Sequence, residues 1–539
     1  MREEQKLTVL HQCLQGRALL EEEIKRALQH QESIKSRFEE QEIESLLAKL
    51  VRAGKAECKP GIGVGSNAGL NAVAKRKGEE SSFSFSFSFS KLFRLFQNKK
   101  ESGAPAYFCN RCGASGRDIH VIYCHRCGGE CGYCRRCLTM GRSSCCAKYY
   151  LFPYEAQAIQ EKRVRVEDAL ALYPQLTDAQ RAAASSMLEF YGREALHARR
   201  DFLVWAVCGA GKTELMFPLL RYLLANGRSA LWATPRRDVV LELAPRLRRA
   251  FPEHLLAVLH GSALPQEKWR PARFVLATTH QALRFYRCFD AVIVDEIDAF
   301  PYTCDDMLPF AVERARKVQG KTVYLTATPR PDHQRRMRKP GNNKDFLPHV
   351  KIPVRYHGHP LPEPEIRRES KLNDRLNAKR PIPTLLFFLE EVRKHDLPAF
   401  IFVPAIRQLP VLYEYIVFSD EKWRDKIAAV HASDPEREAK VIALREGRLQ
   451  ILLTTTIMER GVTLSGIQVL VCQANAPVFD EAALIQIAGR AGRSAAAPQG
   501  TVIFMAEEVT EAMKAAIRQI REMNRLAREQ GYIRKGGIP

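Results

Sequence analysis

Short apolar runs that do not alternate with polar residues recur along this chain, each followed by a stretch of helical spacing. Candidate strands are Phe202–Val207, Ala230–Ala233, Phe274–Ala277, Ala291–Val294 and Thr322–Leu325. A second set comprises Ala399–Val403, Ile451–Thr454, Val469–Cys472 and Thr501–Phe504. A strand with one wet face alternates, and these do not, so the pattern predicts parallel sheet covered by helices on both faces. Two sets imply two doubly wound α/β domains in tandem, at 151–350 and 351–539. The join lies near the Pro- and His-rich stretch Arg355–Pro364.

The region ahead of these domains has a different texture. Residues 1–60 read as helical, with Leu46, Leu47, Leu50 and Val51 at helical spacing before Gly54. A plain helical arm is expected in preference to a small winged-helix-like unit. Residues 61–104 read as a low-complexity linker. Within it Phe83, Phe85, Phe87 and Phe89 alternate with serine, which would place the rings on one side of an extended strand. The same repeat is equally a feature of linker composition. Lys75, Arg76 and Lys77 precede it, and Lys91, Arg94, Lys99 and Lys100 follow, as a solvated basic stretch.

Composition narrows the class. At 539 residues the chain exceeds what one hydrophobic core supports. A net charge of +22 suits a polyanionic partner, nucleic acid first and an anionic membrane surface second. No stretch approaches the roughly 18 apolar residues of a spanning helix. The opening MREEQKLTVL lacks the apolar core of a secretory signal. The expected location is cytoplasmic, with the inner face of the cell membrane as an extension.

Most of the 15 cysteines fall between Cys109 and Cys146. Cys109-x2-Cys112 and Cys124-x2-Cys127 are followed by Cys131, Cys134, Cys137, Cys145 and Cys146. Paired CxxC knuckles point to structural zinc, which would hold residues 105–150 together where a core cannot. Glycines after Cys112 and Cys127 let the backbone turn toward the thiolates. One division places Cys109, Cys112, Cys124 and Cys127 on one ion and Cys131, Cys134, Cys137 and Cys145 on another. A second pairs Cys109 and Cys112 with Cys134 and Cys137 around an interleaved site, and spacing does not choose between them. A redox pair at Cys134 and Cys137 or an iron–sulfur cluster competes with zinc, although a redox pair needs no such company. The arginines between the cysteines would suit a DNA-touching surface.

Four motifs carry the chemistry. Ala206–Thr213 (AVCGAGKT) follows an apolar run and opens a helix, the context of a phosphate-binding loop. Gly209, Ala210 and Gly211 would turn amides toward ATP phosphates, Lys212 would reach the β- and γ-phosphates, and Thr213 would offer its hydroxyl to Mg2+, with Glu214 next in the cradle. In Asp295–Asp298 (DEID), Asp295 would hold magnesium and Glu296 orient the attacking water, while Asp298 makes a linking contact. Thr326–Pro329 (TATP) lies between nucleotide and polymer. In Gln486–Arg493 (QIAGRAGR), Arg490 and Arg493 are expected three apart on one helix face, neutralising charge on the γ-phosphate. Gln486 would join them, Gly489 and Gly492 would permit close approach, and Glu459–Thr463 would couple the two ends. Loops after the strands, Thr234-Pro235-Arg236, Thr278-Thr279-His280-Gln281 and Thr454-Thr455, offer hydroxyls and amides for a nucleic-acid backbone, reading phosphates rather than bases.

With these residues the chain resembles the superfamily-2 helicases over about residues 200–500, and within them the late competence ComFA type. The narrower likeness rests on the cysteine module ahead of the motor, CGYCRRCLTMGR, and the RYHGHPLPEP link. The resemblance implies two RecA-like domains and a cytosolic ATPase stimulated by single-stranded DNA, with ATP, Mg2+ and Zn2+ as cofactors. It implies a part in importing transforming DNA, and as partners single-stranded DNA, a ComFC-like phosphoribosyltransferase-fold protein, DprA and the uptake channel. A PriA-like replication-restart helicase is the nearest rival, but there the cysteines interrupt the second lobe. A zinc-anchored DNA-binding adaptor with a regulatory ATP site would not need Glu296 and both arginines. RNA is a further substrate that backbone-gripping loops would accept.

Overall fold

The computed structural model describes residues 3–30, 38–65, 106–154, 164–192, 199–338, 345–456 and 464–533. The Ser/Phe tract, the rest of the linker from residue 66 and the Glu459–Thr463 motif lie outside the described residues.

Seven strands start the chain: β1 (Ala18–Leu20), β2 (Glu57–Pro60), β3 (Ile62–Gly65), β4 (Ala106–Cys109), β5 (Ile119–Cys124), β6 (Gly129–Cys134) and β7 (Lys148–Leu151). Helices Glu3–Leu14, Glu21–Gln29 and Glu40–Arg52 accompany them. β7 pairs antiparallel with both β1 and β2, giving the order β1-β7-β2. Helix, strand, helix, helix, strand, strand is the winged-helix order, so the plain arm is not what forms. The third strand arrives from beyond the cysteine-rich segment, which enters where a wing would be, and local spacing in residues 1–60 carries no trace of it.

The first lobe holds β8 (Asp201–Ala206), β9 (Ala230–Thr234), β10 (Leu256–Leu259), β11 (Phe274–Thr278), β12 (Phe289–Val294), β13 (Arg316–Thr326) and β14 (His349–Ile352). Its sheet runs β10-β11-β9-β12-β13-β8-β14 with every pairing parallel. The second lobe holds β15 (Glu365–Arg368), β16 (Ala399–Phe402), β17 (Ile427–Val430), β18 (Ile451–Thr454), β19 (Gln468–Cys472) and β20 (Val502–Ala506), in the parallel order β15-β20-β19-β16-β18-β17. Two doubly wound RecA-like sheets are thus present, as expected. The four strands that the apolar pattern does not announce, β10, β14, β15 and β17, are the four sheet edges. An edge strand has one neighbour and needs only a short run, and Glu365–Arg368 (EIRR) is mostly polar.

The N-terminal unit is fastened to the first lobe by apolar contact and by buried charge. Leu10, Leu14, Leu19, Ile24 and Leu47 share a cluster with Trp269 of the lobe. Glu23 is buried and accepts from Arg111 of the cysteine module (2.8 Å) and from Arg284 of the lobe (3.4 Å). One carboxylate therefore holds three parts of the molecule. Removing it strands two buried guanidinium groups, at a cost of about 3–5 kcal/mol. Glu23→Ala is expected to split the N-terminal unit from the lobe as an earlier thermal transition, measured by calorimetry of the full chain. An unaltered thermogram would show that the apolar contact alone secures the docking.

Candidate nucleotide site and cysteine clusters

The phosphate loop leaves the C-terminal end of β8. Gly209 and Gly211 adopt left-handed φ of 82° and 76°, conformations that side chains resist, and the short helix Lys212–Leu215 begins at once. Thr213 is nearly buried, and Glu214 is paired with Arg246. A Cβ on Gly211 would collide with the Gln180 amide.

Gln180 is a residue that motif reading overlooked. Its Nε2 donates to the Ala210 carbonyl (2.8 Å), while its Oε1 accepts from the Thr177 amide (2.9 Å) and the Thr177 hydroxyl accepts from the Gln180 amide (3.3 Å). This is a reciprocal capping box at the start of helix Asp178–Gly192. The T-x-x-Q signature was present in the sequence; its reach to the phosphate loop was not. Beyond it opens a cavity of about 630 Å³ lined by Tyr173, Phe217, Glu214 and Arg246.

Asp295 follows β12, with its amide donating to the Ala233 carbonyl (2.8 Å) and its Oδ1 accepting from the Glu296 amide (2.9 Å). Burial pushes its carboxyl up to about 6, with Lys212 opposing and Glu296 reinforcing the shift. A divalent cation would favour the charged form instead. Glu296 has a left-handed φ of 54°, an uncommon conformation for a side chain and a mark of a constrained loop. Asp298 does link, as expected: it accepts from Thr326 (2.7 Å) and Thr328 (2.9 Å) of the TATP segment.

The second lobe reaches into this constellation. Gln486 accepts from the Cys208 thiol in the phosphate loop (3.1 Å) and donates to Asp298 Oδ2 (3.1 Å). One side chain thus touches both motifs of the facing lobe. Arg490 and Arg493 are not on a helix face: helix Glu481–Ala488 ends at Gly489, with Arg490 in the turn that follows and Arg493 just beyond it. Gly492, between the two arginines, takes a left-handed φ of 64°. Arg490 is buried, and Arg493 is half-buried with its Nε donating to the Gly489 carbonyl (3.1 Å). A Cβ on Gly489 would lie 2.5 Å from Cys208 Cβ, so the expected close approach is real and steric.

The cysteines form two separate clusters. Cys109, Cys112, Cys134 and Cys137 are all buried, with Cys109–Cys137 and Cys112–Cys134 sulfurs 3.7 and 3.5 Å apart. A tetrahedron of about 2.3 Å metal–sulfur bonds has edges of about 3.8 Å, so the donor set fits a metal ion. Cys124, Cys127, Cys131 and Cys146 form the second, with Cys146 4.0 Å from Cys124 and 3.9 Å from Cys131. The interleaved division is the one that forms, and Cys146 replaces Cys145. Both residues lie in the turn that follows Ser144, where the Cys145 amide donates to the Gly132 carbonyl (3.0 Å). Gly113 and Gly128 have φ of 77° and 67°, as their place in the knuckles requires.

The loops expected to grip a polymer divide. Thr234, Pro235, Thr278, Thr279, Gln281 and Thr454 are buried, because the ends of interior strands lie beneath helices. Gln281 turns inward to Arg284 (2.8 Å). Arg236, His280 and Thr455 are the members with partly exposed side chains.

Three family models match the chain: DEAD/DEAH box helicase at residues 177–336, helicase conserved C-terminal domain at 383–495, and competence protein ComFA N-terminal domain at 95–151. The competence protein ComFA of Bacillus subtilis is 39% identical over 421 residues, 78% of this chain and 86% of that protein. That of Streptococcus pneumoniae is 34% identical over 446 residues, 81% of this chain and 98% of that protein. The replication restart protein PriA of Bacillus subtilis is 26% identical over 167 residues, 29% of this chain and 20% of that protein.

Gly489 has an ordinary helical φ of −62°, so alanine there meets no left-handed backbone strain and acts chiefly through contact with Cys208. Gly489→Ala is expected to keep nucleotide affinity while lowering turnover about 100-fold, the order of loss for an ångström-scale misplacement. Steady-state ATPase beside ADP titration reads both quantities; full turnover would mean that this lobe contact is absent from the working state.

Proposed function

The chain belongs to the ComFA family of competence proteins, and we propose that it is a single-stranded-DNA-stimulated motor assisting the import of transforming DNA. As a DEAD/DEAH-type helicase it is an ATP hydrolase. The observation that supports the finer reading is the double contact of Gln486, with Cys208 and Asp298, which ties the second lobe to both motifs of the first.

In this reading Gly209 to Glu214 cradle the phosphates, with Lys212 toward the terminal pair. The base would enter the cavity beside Tyr173 and Phe217. Thr213 and Asp295 would hold magnesium, which supplies charge neutralisation on the phosphate oxygens. Glu296 orients water, and Arg490 and Arg493 meet the charge of the departing phosphoryl group from the other wall. Asp298, joined to Thr326, Thr328 and Gln486, passes closure of the cleft to the segment facing the polymer. The polymer is held by its backbone along Arg236, His280 and Thr455 and the amides beneath them. The cysteine clusters hold zinc as structural ions. Among the described residues no helix is long and apolar enough to cross a membrane. The net charge of +22 favours nucleic acid and anionic lipid surfaces alike. A ComFC-like protein, DprA and the uptake channel complete the proposed partners at the inner membrane face.

ATP turnover with single-stranded DNA, duplex DNA and RNA side by side tests this. Single-stranded DNA is expected to stimulate most, with apparent affinity falling roughly tenfold or more between about 50 and 200 mM salt. Glu296→Gln is expected to lower turnover about 100-fold or more with DNA affinity retained. Equal stimulation by RNA, or none by any polymer, would defeat the DNA-import reading. For the clusters, elemental analysis is expected to return two zinc ions per chain, and one after Cys127→Ser; Cys145→Ser should leave both. Loss of an ion on replacing Cys145 would contradict the ligand set.

A further inference from the structure

The linker between the lobes is more than a tether. Tyr356 donates its amide to the Gly209 carbonyl (3.0 Å), which wires the linker to the phosphate loop. His357 Nε2 contacts the Gly492 carbonyl (3.2 Å) on the opposite wall. Between them Arg355 is 1% exposed, with one amino group donating to Gly492 and the other to Gly489 (3.4 Å). Arg493 donates to the same Gly489 carbonyl, so two guanidinium groups converge on one neutral acceptor. Among the described residues no carboxylate forms an ion pair with Arg355, and its Nε has no acceptor. Its side chain lies along the phosphate loop: a Cβ on Gly209 would be 3.5 Å from Arg355 Cγ.

A buried cation normally has an anion beside it, because burial without one costs more than carbonyl dipoles return. Here burial, with the like charge of Arg493, lowers the Arg355 pKa from 12.5 to about 9. What the pocket lacks is negative charge, next to a loop shaped for phosphate.

We propose that Arg355 is a fourth phosphate-facing cation of the ATP site, beside Lys212, Arg490 and Arg493, placed by the linker to take an oxygen of the γ-phosphoryl group as the lobes close. The proposal rests on the ATPase reading above. It gives the linker a direct part in the site: the residue that senses the terminal phosphate is continuous in sequence with the segment that sets the angle between lobes. The competing role is purely structural, a cap for the Gly489 and Gly492 carbonyls.

The test compares Mg·ADP with Mg·ADP plus aluminium fluoride, a γ-phosphate mimic, by calorimetric titration of the full chain. Arg355→Met keeps the aliphatic packing on Gly209 and removes the fork. It is expected to bind ADP within about twofold of the unaltered chain while the affinity gained from fluoride falls about 100-fold, the order seen on removing one charge-stabilising donor. Turnover should fall with it at unchanged KM. Arg355→Lys should keep part of the gain, a point charge standing in for a planar fork. If Arg355→Met does not fold, the lysine variant carries the test, with a roughly tenfold reduced gain expected at retained ADP affinity. An undiminished fluoride gain in the variants, or an equal loss for ADP and ADP–fluoride, overturns the proposal and leaves the carbonyl cap. An unaltered chain that binds neither nucleotide overturns the ATPase reading and this proposal together.

Discussion

The meeting of Gly489 with Cys208 is the constraint on which the motor depends. Any side chain at Gly489 would push the second lobe off the phosphate loop, since a Cβ there falls within 2.5 Å of Cys208 Cβ. The absent side chain lets Gln486 span from the Cys208 thiol to Asp298, and brings the Arg490–Arg493 turn against the opposite wall. Individually these hydrogen bonds are worth about 1 kcal/mol each, so the closed cleft is held lightly. A motor needs that: a contact too strong to open would store the nucleotide rather than turn it over.

Asp298 makes this contact communicative. It receives Thr326, Thr328 and Gln486 at once, joining the acid loop, the TATP segment and the second lobe. The Ala327 carbonyl between the two threonines accepts from Trp205 of its own lobe and from Gln519 of the final helix of the other, both at 3.0 Å. A change in lobe angle therefore moves the backbone of the TATP segment directly, with no long relay to invoke.

The cysteine-bearing segment is built into the first lobe rather than hung from it. Arg111 shares Glu23 with Arg284, Arg314 donates to the Arg111 and Asn110 carbonyls, and Arg136 pairs with Asp305 (2.6 Å). Asp305 lies in the loop that starts at Glu296, so the module braces the far end of the segment bearing the proposed base. The second cluster, with Cys127 exposed, joins Cys146 to the turn end of the β5–β6 hairpin.

Patterns that arise from local chemistry were readable in the chain itself. Interior strands such as Phe274–Thr278 must be apolar on both faces, a phosphate loop must place glycines before Lys212, and metal knuckles must pair cysteines two apart. Each rule acts within a few residues. Folding alone decided what depends on distant segments meeting: which cysteines cluster, with Cys146 rather than Cys145 beside Cys124, Cys127 and Cys131; the N-terminal unit, completed by β7; the four edge strands, whose short runs gain meaning only beside a neighbour; and the burial of Arg355, an ordinary linker residue until two lobes enclose it.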